Sequence, residues 1–230
     1  MNRTSASNDR ESLISVIVGS VALDGKLEIP QEAQGVVLFT GSSPCNRRIA
    51  HILHQARLGT LTIDLLTPHE QAIDRWMRYL HFDLGLLAER LVGVTDWLLE
   101  NPATQNLRIG YLVTSTDSGA AILAALERPE AVGAIVSWQG RPDLAGSALS
   151  RVQVPTLLIA AGDDLPHVAL NQAALMQLHT EHQLEVIPGA MQRCQVSGVV
   201  EDVANLTAQW CDRFLLPVEQ QDLKVLVQRD

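Results

Sequence analysis

The segment LRIGYLVTSTDSGAAILAALERP, residues 107–129, decides the fold of this chain. Its first part is apolar and predicts a buried strand, small polar residues follow at 114–118, and an alanine-rich stretch ending at Arg128 predicts a helix. A strand that turns sharply into a helix on a serine is the arrangement of a nucleophile elbow, in which the serine hydroxyl projects from the turn. Ser115 stands at this turn, so the segment predicts an α/β sheet with a candidate site at Ser115.

Apolar segments alternate with helical segments through the rest of the chain. Asp24-Gly25 predicts a hairpin turn near the start. The predicted strands are residues 14–23, 26–29, 35–40, 58–66, 107–113, 131–138, 155–161 and 182–187, and the predicted helices outside the elbow are residues 47–57, 83–100, 165–179 and 197–215. Strands that are apolar throughout need helices on both faces, so we expect an α/β protein with three layers and a mostly parallel sheet.

Composition limits the classes of partner. The net charge of -9 argues against nucleic acid and anionic membranes, which both need a basic surface. No apolar run approaches the roughly 18 residues of a membrane-spanning helix. The three cysteines show no metal-ligand spacing and favour a reducing compartment. We expect a cytoplasmic protein without metal or cofactor, with one domain at 13–216 between a disordered tail, 1–12, and a polar tail, 217–230.

The order of elements resembles the α/β-hydrolase fold, and from about Val16 to Leu215 the chain resembles the dienelactone hydrolase-like family. The segments that carry the resemblance are LDGKLEIP, LTIDLLTPHEQ, HFDLGLLAERL, IGYLVTSTDSGAA, RPDLAG, PTLLIAAGDD and EVIPGA. The resemblance implies a serine nucleophile in the elbow, an acid after a late strand and a histidine after the last strand. It also implies an oxyanion hole between the elbow and the loop after the third strand.

Carried over position by position, the resemblance places Ser115 at the nucleophile and Asp164 at the acid. At the position of the histidine base the chain has Gln192. A glutamine does not titrate near neutral pH and cannot relay a proton. The implied ligand-binding positions are Gly41, Ser42 and Thr116. The loop after the third strand is short and lacks the family's histidine, but N–H groups at its serines offer a site for an anion near Arg47 and Arg48.

Two further positions depart from the family pattern. Val113 and Asp117 stand where the family has the glycines that flank the serine. A carboxylate at 117 opposes a developing oxyanion, because two like charges about 4 Å apart repel by roughly 4 kcal/mol at an effective dielectric constant of about 20. Asp117 and Asp164 also suit helix caps, which is a structural alternative for both. His167 is the nearest candidate for a replacement base.

Three functional interpretations follow from these changes. The leading one is a catalytically impaired hydrolase-fold protein that acts as a binding or assembly subunit. The second is a working serine esterase or lactonase that uses Ser115 and Asp164 with a non-standard base such as His167. The third is a protein that binds a small ester, lactone or carboxylate without turnover. Candidate surfaces for a protein partner are the aromatic-bearing stretch 69–82, with Trp76, Tyr79 and Phe82, and the apolar C-terminal patch at 223–227.

Overall fold

A computed structural model of the protein describes residues 10–188 and 198–216. The strands are β1 Arg10–Val18, β2 Val21–Ile29, β3 Gly35–Thr40, β4 Leu58–Ile63, β5 Ile109–Ser115, β6 Val132–Gly140, β7 Thr156–Ala161 and β8 His182–Ile187. The helices are α1 Pro44–Gln55, α2 Pro68–Met77, α3 Leu84–Glu100, α4 Asp117–Glu127, α5 Leu165–Leu175 and α6 Val199–Phe214. A 3-10 turn spans Leu80–Phe82, and a 3-10 segment, Pro142–Ser150, is kinked at Gly146.

All eight strands form one sheet in the order β1-β2-β4-β3-β5-β6-β7-β8. The β1–β2 and β2–β4 pairs are antiparallel, and the other five pairs are parallel. Buried side chains form two clusters, one with α3 and α4 and the other with α1 and α6. The predicted fold class, a mostly parallel sheet covered by helices on both faces, is therefore confirmed. The parallel strands end together at one edge, and the candidate site lies along this edge.

The hairpin turn was predicted at the wrong place. Gly19-Ser20 makes the turn between β1 and β2, and Gly19 has the positive φ, 59°, that such a tight turn needs. Asp24 and Gly25 lie inside β2 instead. A Cβ atom on Gly25 would come within 2.9 Å of the Thr62 carbonyl oxygen, so this glycine permits the close approach of β4.

Three other boundaries also differ from the prediction. β1 begins at Arg10, inside the segment expected to be a disordered tail. α1 begins at Pro44 because the Ser43 hydroxyl caps it, accepting a hydrogen bond from the Asn46 N–H at 3.1 Å. β4 ends at Ile63, three residues before the predicted end.

The last helix, α6, closes the second face of the sheet. Its Cys211 is a free, fully buried thiol beside Gly110 of β5, where an added Cβ would lie 3.3 Å from Cys211 Sγ. Burial, reinforced by the neighbouring Asp212, raises the pKa of Cys211 to about 12. In residues 10–188 and 198–216, every helix is too short or too polar to cross a membrane.

Candidate active site

Ser115 occupies a fully formed elbow. It is the last residue of β5, its side chain is exposed, and α4 begins two residues later. Its φ is +54°, a left-handed conformation that costs a non-glycine residue about 1 to 3 kcal/mol. The Arg141 N–H donates to the Ser115 carbonyl oxygen at 2.8 Å and ties the turn to the next strand. The elbow therefore forms although both of its flanking glycines are replaced.

The close approach that the elbow needs is provided by a glycine on the neighbouring strand. A Cβ atom on Gly140 would lie 1.8 Å from Ser118 Oγ and 2.1 Å from Ser137 Oγ. These two buried hydroxyls are hydrogen-bonded to each other at 2.9 Å, which joins the first turn of α4 to β6. Val113 is fully buried in the core on the α4 side of the sheet. The sequence of the elbow segment does not reveal this role of Gly140, because the role depends on a contact between strands.

A β-bulge lies beside Ser115. Thr114 pairs with Trp138 and Ser115 pairs with Gly140, so Gln139 is an extra residue on β6. Gln139 has a positive φ of 48°, the second such non-glycine residue at this edge of the sheet. Bulges next to functional sites re-aim the side chains around them. No pattern in the sequence predicted this one.

Asp117 is not the helix cap that the structural alternative proposed. It is the first residue of α4, and Thr116 occupies the cap position without a side-chain cap bond. Burial of the Asp117 carboxyl raises its pKa to about 6; the Thr40 hydroxyl and His81 lower the pKa, and the charge of Asp64 raises it. With a pKa of about 6, Asp117 is mostly ionised at neutral pH, so a carboxylate stands two residues after Ser115 in the first turn of α4.

The loop after β3 is tied down by Asp64. The Ser42 N–H donates to Asp64 Oδ1 at 3.2 Å, and the Ser42 hydroxyl donates to Asp64 Oδ2 at 2.9 Å. The Gly41 carbonyl accepts a hydrogen bond from the Asn46 side chain at 2.5 Å. A protein carboxylate thus takes the Ser42 N–H that was predicted to bind an anion, and Arg48 is paired with Glu201 on α6. Of the predicted ligand-binding positions, Thr116 keeps the place directly after the serine, where an elbow contributes an oxyanion N–H.

Within the part of the chain that the structure describes, neither Asp164 nor His167 hydrogen-bonds to Ser115. Asp164 caps α5, accepting a hydrogen bond from the His167 N–H at 3.1 Å. The Arg141 guanidinium holds the pKa of Asp143 below its usual range, and the nearby His167 adds to this effect. Within residues 10–188 and 198–216 no side chain hydrogen-bonds to Ser115 Oγ. Gln192 and Cys194 lie outside these residues.

A pocket of about 340 Å³ opens next to the elbow at the carboxyl edge of the sheet. The described residues that line it are all uncharged: Thr40, Gly41, Ser42, Ser43, Cys45, Asn46, Thr114, Trp138 and Gln139. Trp138 is 4% exposed, and no group in residues 10–188 and 198–216 accepts a hydrogen bond from its Nε1. Thr114 connects the pocket to Ser115 along β5.

The stretch between β4 and α3 is anchored at one end and exposed at the other. Arg90 of α3 donates to both carboxylate oxygens of Glu70, at 2.7 and 2.5 Å, and Glu70 also accepts from the Thr67 N–H at 2.8 Å. The bond from Arg90 holds the pKa of Glu70 at about 2. Trp76 is 89% exposed, and Tyr79 and Phe82 are exposed as well. A protein partner at these aromatic residues stays a prediction, and the second candidate surface, at 223–227, lies outside the described residues.

The chain is similar in sequence and in fold to proteins of known structure. The crystal structure of a dienelactone hydrolase from Anabaena variabilis is 52% identical, with a TM-score of 0.86, and the match covers 90% of this chain and 99% of that one. A dienelactone hydrolase-like promiscuous phosphotriesterase from metagenomic libraries is 13% identical with a TM-score of 0.73 over 91% of this chain and 100% of that chain, which shows the shared fold.

Two curated sequences from Mycobacterium tuberculosis strains, each named "Putative phosphoribosyl transferase", are 42% identical over 207 residues. The match covers 87% of this chain and 46% of each of those proteins, so the chain spans about half the length of the curated relatives it matches. No protein-family model matches the sequence. The elbow at Ser115, the eight-stranded sheet and the similarity to the Anabaena enzyme over almost its whole length show that the chain belongs to the dienelactone hydrolase family of α/β-hydrolase-fold proteins.

Proposed function

We propose that this chain is a catalytically impaired member of its family that binds a small molecule in the pocket beside Ser115. The observation that carries the proposal is the surroundings of the Ser115 hydroxyl. It is exposed on a formed elbow, yet no described side chain is bonded to it as a base. A serine hydroxyl is a weak nucleophile until a base takes its proton.

The electrostatics support the same conclusion. Asp64 takes the Ser42 N–H, which an oxyanion would need, and the Asp117 carboxylate stands in the first turn of α4. Negative charge at a helix N-terminus cancels part of the positive field that stabilises a developing oxyanion. Losing the base alone costs on the order of a million-fold in rate in well-studied serine proteases. The pocket, in contrast, is open and lined by hydrogen-bonding groups, so binding needs no repair of the catalytic residues.

The second candidate is an active serine esterase or lactonase, and the backbone of Ser115 favours it. A φ of +54° at a non-glycine residue is strain, and such strain persists most often at functional sites. This function requires a base from the part of the chain outside the described residues or from the ligand itself.

Labelling with a fluorophosphonate, read out as intact mass, separates the two functions. We expect no adduct on the folded wild-type protein. The matched gain-of-function variant is Gln192→His, which restores the family's base by sequence; combined with Asp117→Gly, it is expected to acquire one adduct that Ser115→Ala removes. An adduct on the wild type that Ser115→Ala abolishes would refute the impaired-hydrolase proposal.

A further inference from the structure

We propose that a groove between α1 and the β1–β2 hairpin binds a zwitterion, an α-amino acid with an aliphatic side chain, through Arg47 and Asp24. The groove has a volume of about 550 Å³, within the range of roughly 300 to 1,000 Å³ that is usual for small-molecule pockets. Among the described lining residues it shares only Ser42 with the pocket beside Ser115. The inference therefore goes beyond the proposed function and does not depend on whether Ser115 is active.

The two walls of the groove are built from regular secondary structure. Side chains at alternate positions of a strand point to the same face of a sheet, and residues three or four apart share one face of a helix. The lining follows both patterns, with Glu11 and Leu13 on β1, Asp24, Lys26 and Glu28 on β2, and Arg47, Ala50, His51 and His54 on α1. One face of the hairpin and one face of α1 therefore form the two sides of the groove.

Four of the titratable side chains in the groove are paired with one another. Lys26 forms ion pairs with Glu28 and with Glu11, and its Nζ lies 3.2 Å from the Glu11 carboxylate. The other carboxylate oxygen of Glu28 lies 3.5 Å from His54 Nδ1. These contacts leave none of the four side chains as a free charge for a ligand.

Arg47 and Asp24 are the two lining residues that are charged at neutral pH and unpaired. Asp64 accepts two hydrogen bonds from Ser42, one from its N–H and one from its hydroxyl. Within the described part of the chain, neither Arg47 nor Asp24 forms an ion pair, and both residues are exposed. The helix side of the groove therefore carries a free cation, and the hairpin side carries a free anion.

The two free charges lie at the same end of the groove. The pair Gly25–Ile63 is the last of the β2–β4 ladder, and Ile63 pairs with Thr40, the last residue of β3. Asp24 directly precedes Gly25, and Arg47 lies near the start of α1, which follows β3 at this edge of the sheet. A ligand whose cation and anion are close together can therefore contact both residues.

The charges and the apolar lining together define the ligand. A guanidinium binds a carboxylate through two parallel hydrogen bonds, and the free Asp24 carboxylate binds an ammonium group. A ligand with only one of these charges leaves either Arg47 or Asp24 unpaired. Leu13 is 87% exposed although it lines the groove, and Ala50 and Ile63 also line it. An aliphatic side chain of the ligand would be withdrawn from water against these three residues, which favours binding.

The test compares three probes with the same side chain, L-leucine, L-leucinamide and N-acetyl-L-leucine, by ligand-observed NMR titration of the whole chain. Leucinamide keeps the ammonium group without the carboxylate, and N-acetylleucine keeps the carboxylate without the ammonium group. We expect leucine to bind at least about five-fold more tightly than either analogue, because each analogue lacks one of the two charge-assisted contacts.

Removing one protein charge at a time assigns the two contacts. In Arg47→Gln the advantage of leucine over leucinamide is expected to disappear, and in Asp24→Asn its advantage over N-acetylleucine is expected to disappear. A substitution that only disturbed the shape of the groove would weaken all three probes and keep both advantages. Arg48→Gln is the matched control and should keep both, because Arg48 is paired with Glu201 and does not line the groove.

Wild-type affinity for either analogue that equals the affinity for leucine, or no binding of any probe, would overturn the inference. Equal effects of Arg47→Gln and Arg48→Gln would overturn it as well. The wild-type comparison needs no variant, so it remains decisive if a variant does not fold. Ser115→Ala should leave the affinity for leucine unchanged, and a loss of affinity in this variant would assign the probe to the pocket beside the elbow and refute the inference.

Discussion

Replacing Asp117 with asparagine tests the electrostatics of the elbow through the stability of the whole protein. Asparagine keeps the shape of the side chain and cannot ionise. The Asp117 carboxyl has a pKa of about 6 in the folded chain, against an ordinary value of 3.8, mainly because burial disfavours its charged form. Each pKa unit corresponds to about 1.4 kcal/mol, so ionised Asp117 is expected to destabilise the fold by about 3 kcal/mol.

The sign of the pH dependence follows from proton binding. Between pH 3.8 and about 6 the folded chain holds the Asp117 proton more tightly than the unfolded chain does. Raising the pH through this window therefore removes stability, and the loss is complete above about pH 6. In Asp117→Asn this loss is absent. The variant should match the wild type near pH 4 and exceed its free energy of unfolding at pH 8 by up to about 3 kcal/mol.

Urea unfolding at pH 4, 6 and 8, followed by circular dichroism, measures this difference directly. Asp202→Asn is the control, because Asp202 lies in the first turn of α6 with its side chain exposed. The control is expected to change the free energy of unfolding by less than about 0.5 kcal/mol at every pH. If Asp117→Asn is no more stable than the wild type at pH 8, or if its advantage is the same at pH 4, then burial does not raise the pKa of the Asp117 carboxyl.

Two further substitutions test the packing around the site. Gly140→Ala should destabilise the protein by about 3 kcal/mol in thermal unfolding, because its methyl group would collide with two buried serine hydroxyls. The control Gly85→Ala should be neutral or stabilising, because its methyl group meets nothing closer than 3.5 Å. Equal effects of the two substitutions would contradict the packing of α4 on β6. Arg90→Met should cost about 3 to 5 kcal/mol by leaving Glu70 without its partner, while Arg213→Met, in an ion pair more than half exposed on both sides, should cost less than about 1 kcal/mol. The pKa of about 2 for Glu70 means that the stability from the Arg90–Glu70 pair is present above pH 4.5 and is lost as the pH falls towards 2, so the two Arg90 forms should converge in acid.

The buried strands were predictable because their chemistry is uniform. Gly35–Thr40 is apolar apart from its last residue and is buried at all six positions, and β7 is likewise buried at all six. A strand covered on both faces must be apolar throughout, so its composition alone identifies it. The predicted position of the hairpin turn was wrong because Asp24-Gly25 is a strong local turn signal. In the structure this stretch pairs with β4, a contact between distant segments that the local sequence does not reveal.

The position of the elbow was predictable from the sequence, and the contacts that hold its conformation were not. Resemblance to the family placed Ser115 at the elbow, and the elbow forms although Val113 and Asp117 stand at the positions of the flanking glycines. The structure shows that the critical glycine is Gly140, on the adjacent strand. The bulge at Gln139 and the effect of Asp64 on Asp117 likewise join residues far apart in the chain. Such contacts depend on tertiary structure, so reasoning from single segments misses them.

The buried thiol of Cys211 can report when α6 separates from the sheet. A thiol with a pKa of about 12 and no solvent exposure does not react with an alkylating reagent while α6 stays in place. The rate of alkylation at Cys211, assigned by peptide mass, therefore measures how often α6 separates from β5. Amide exchange reports local unfolding in the same way. Ligand that binds the folded pocket would slow this reaction in proportion to the openings it suppresses. The protein thus carries an internal probe of occupancy that requires neither turnover nor a chromophore.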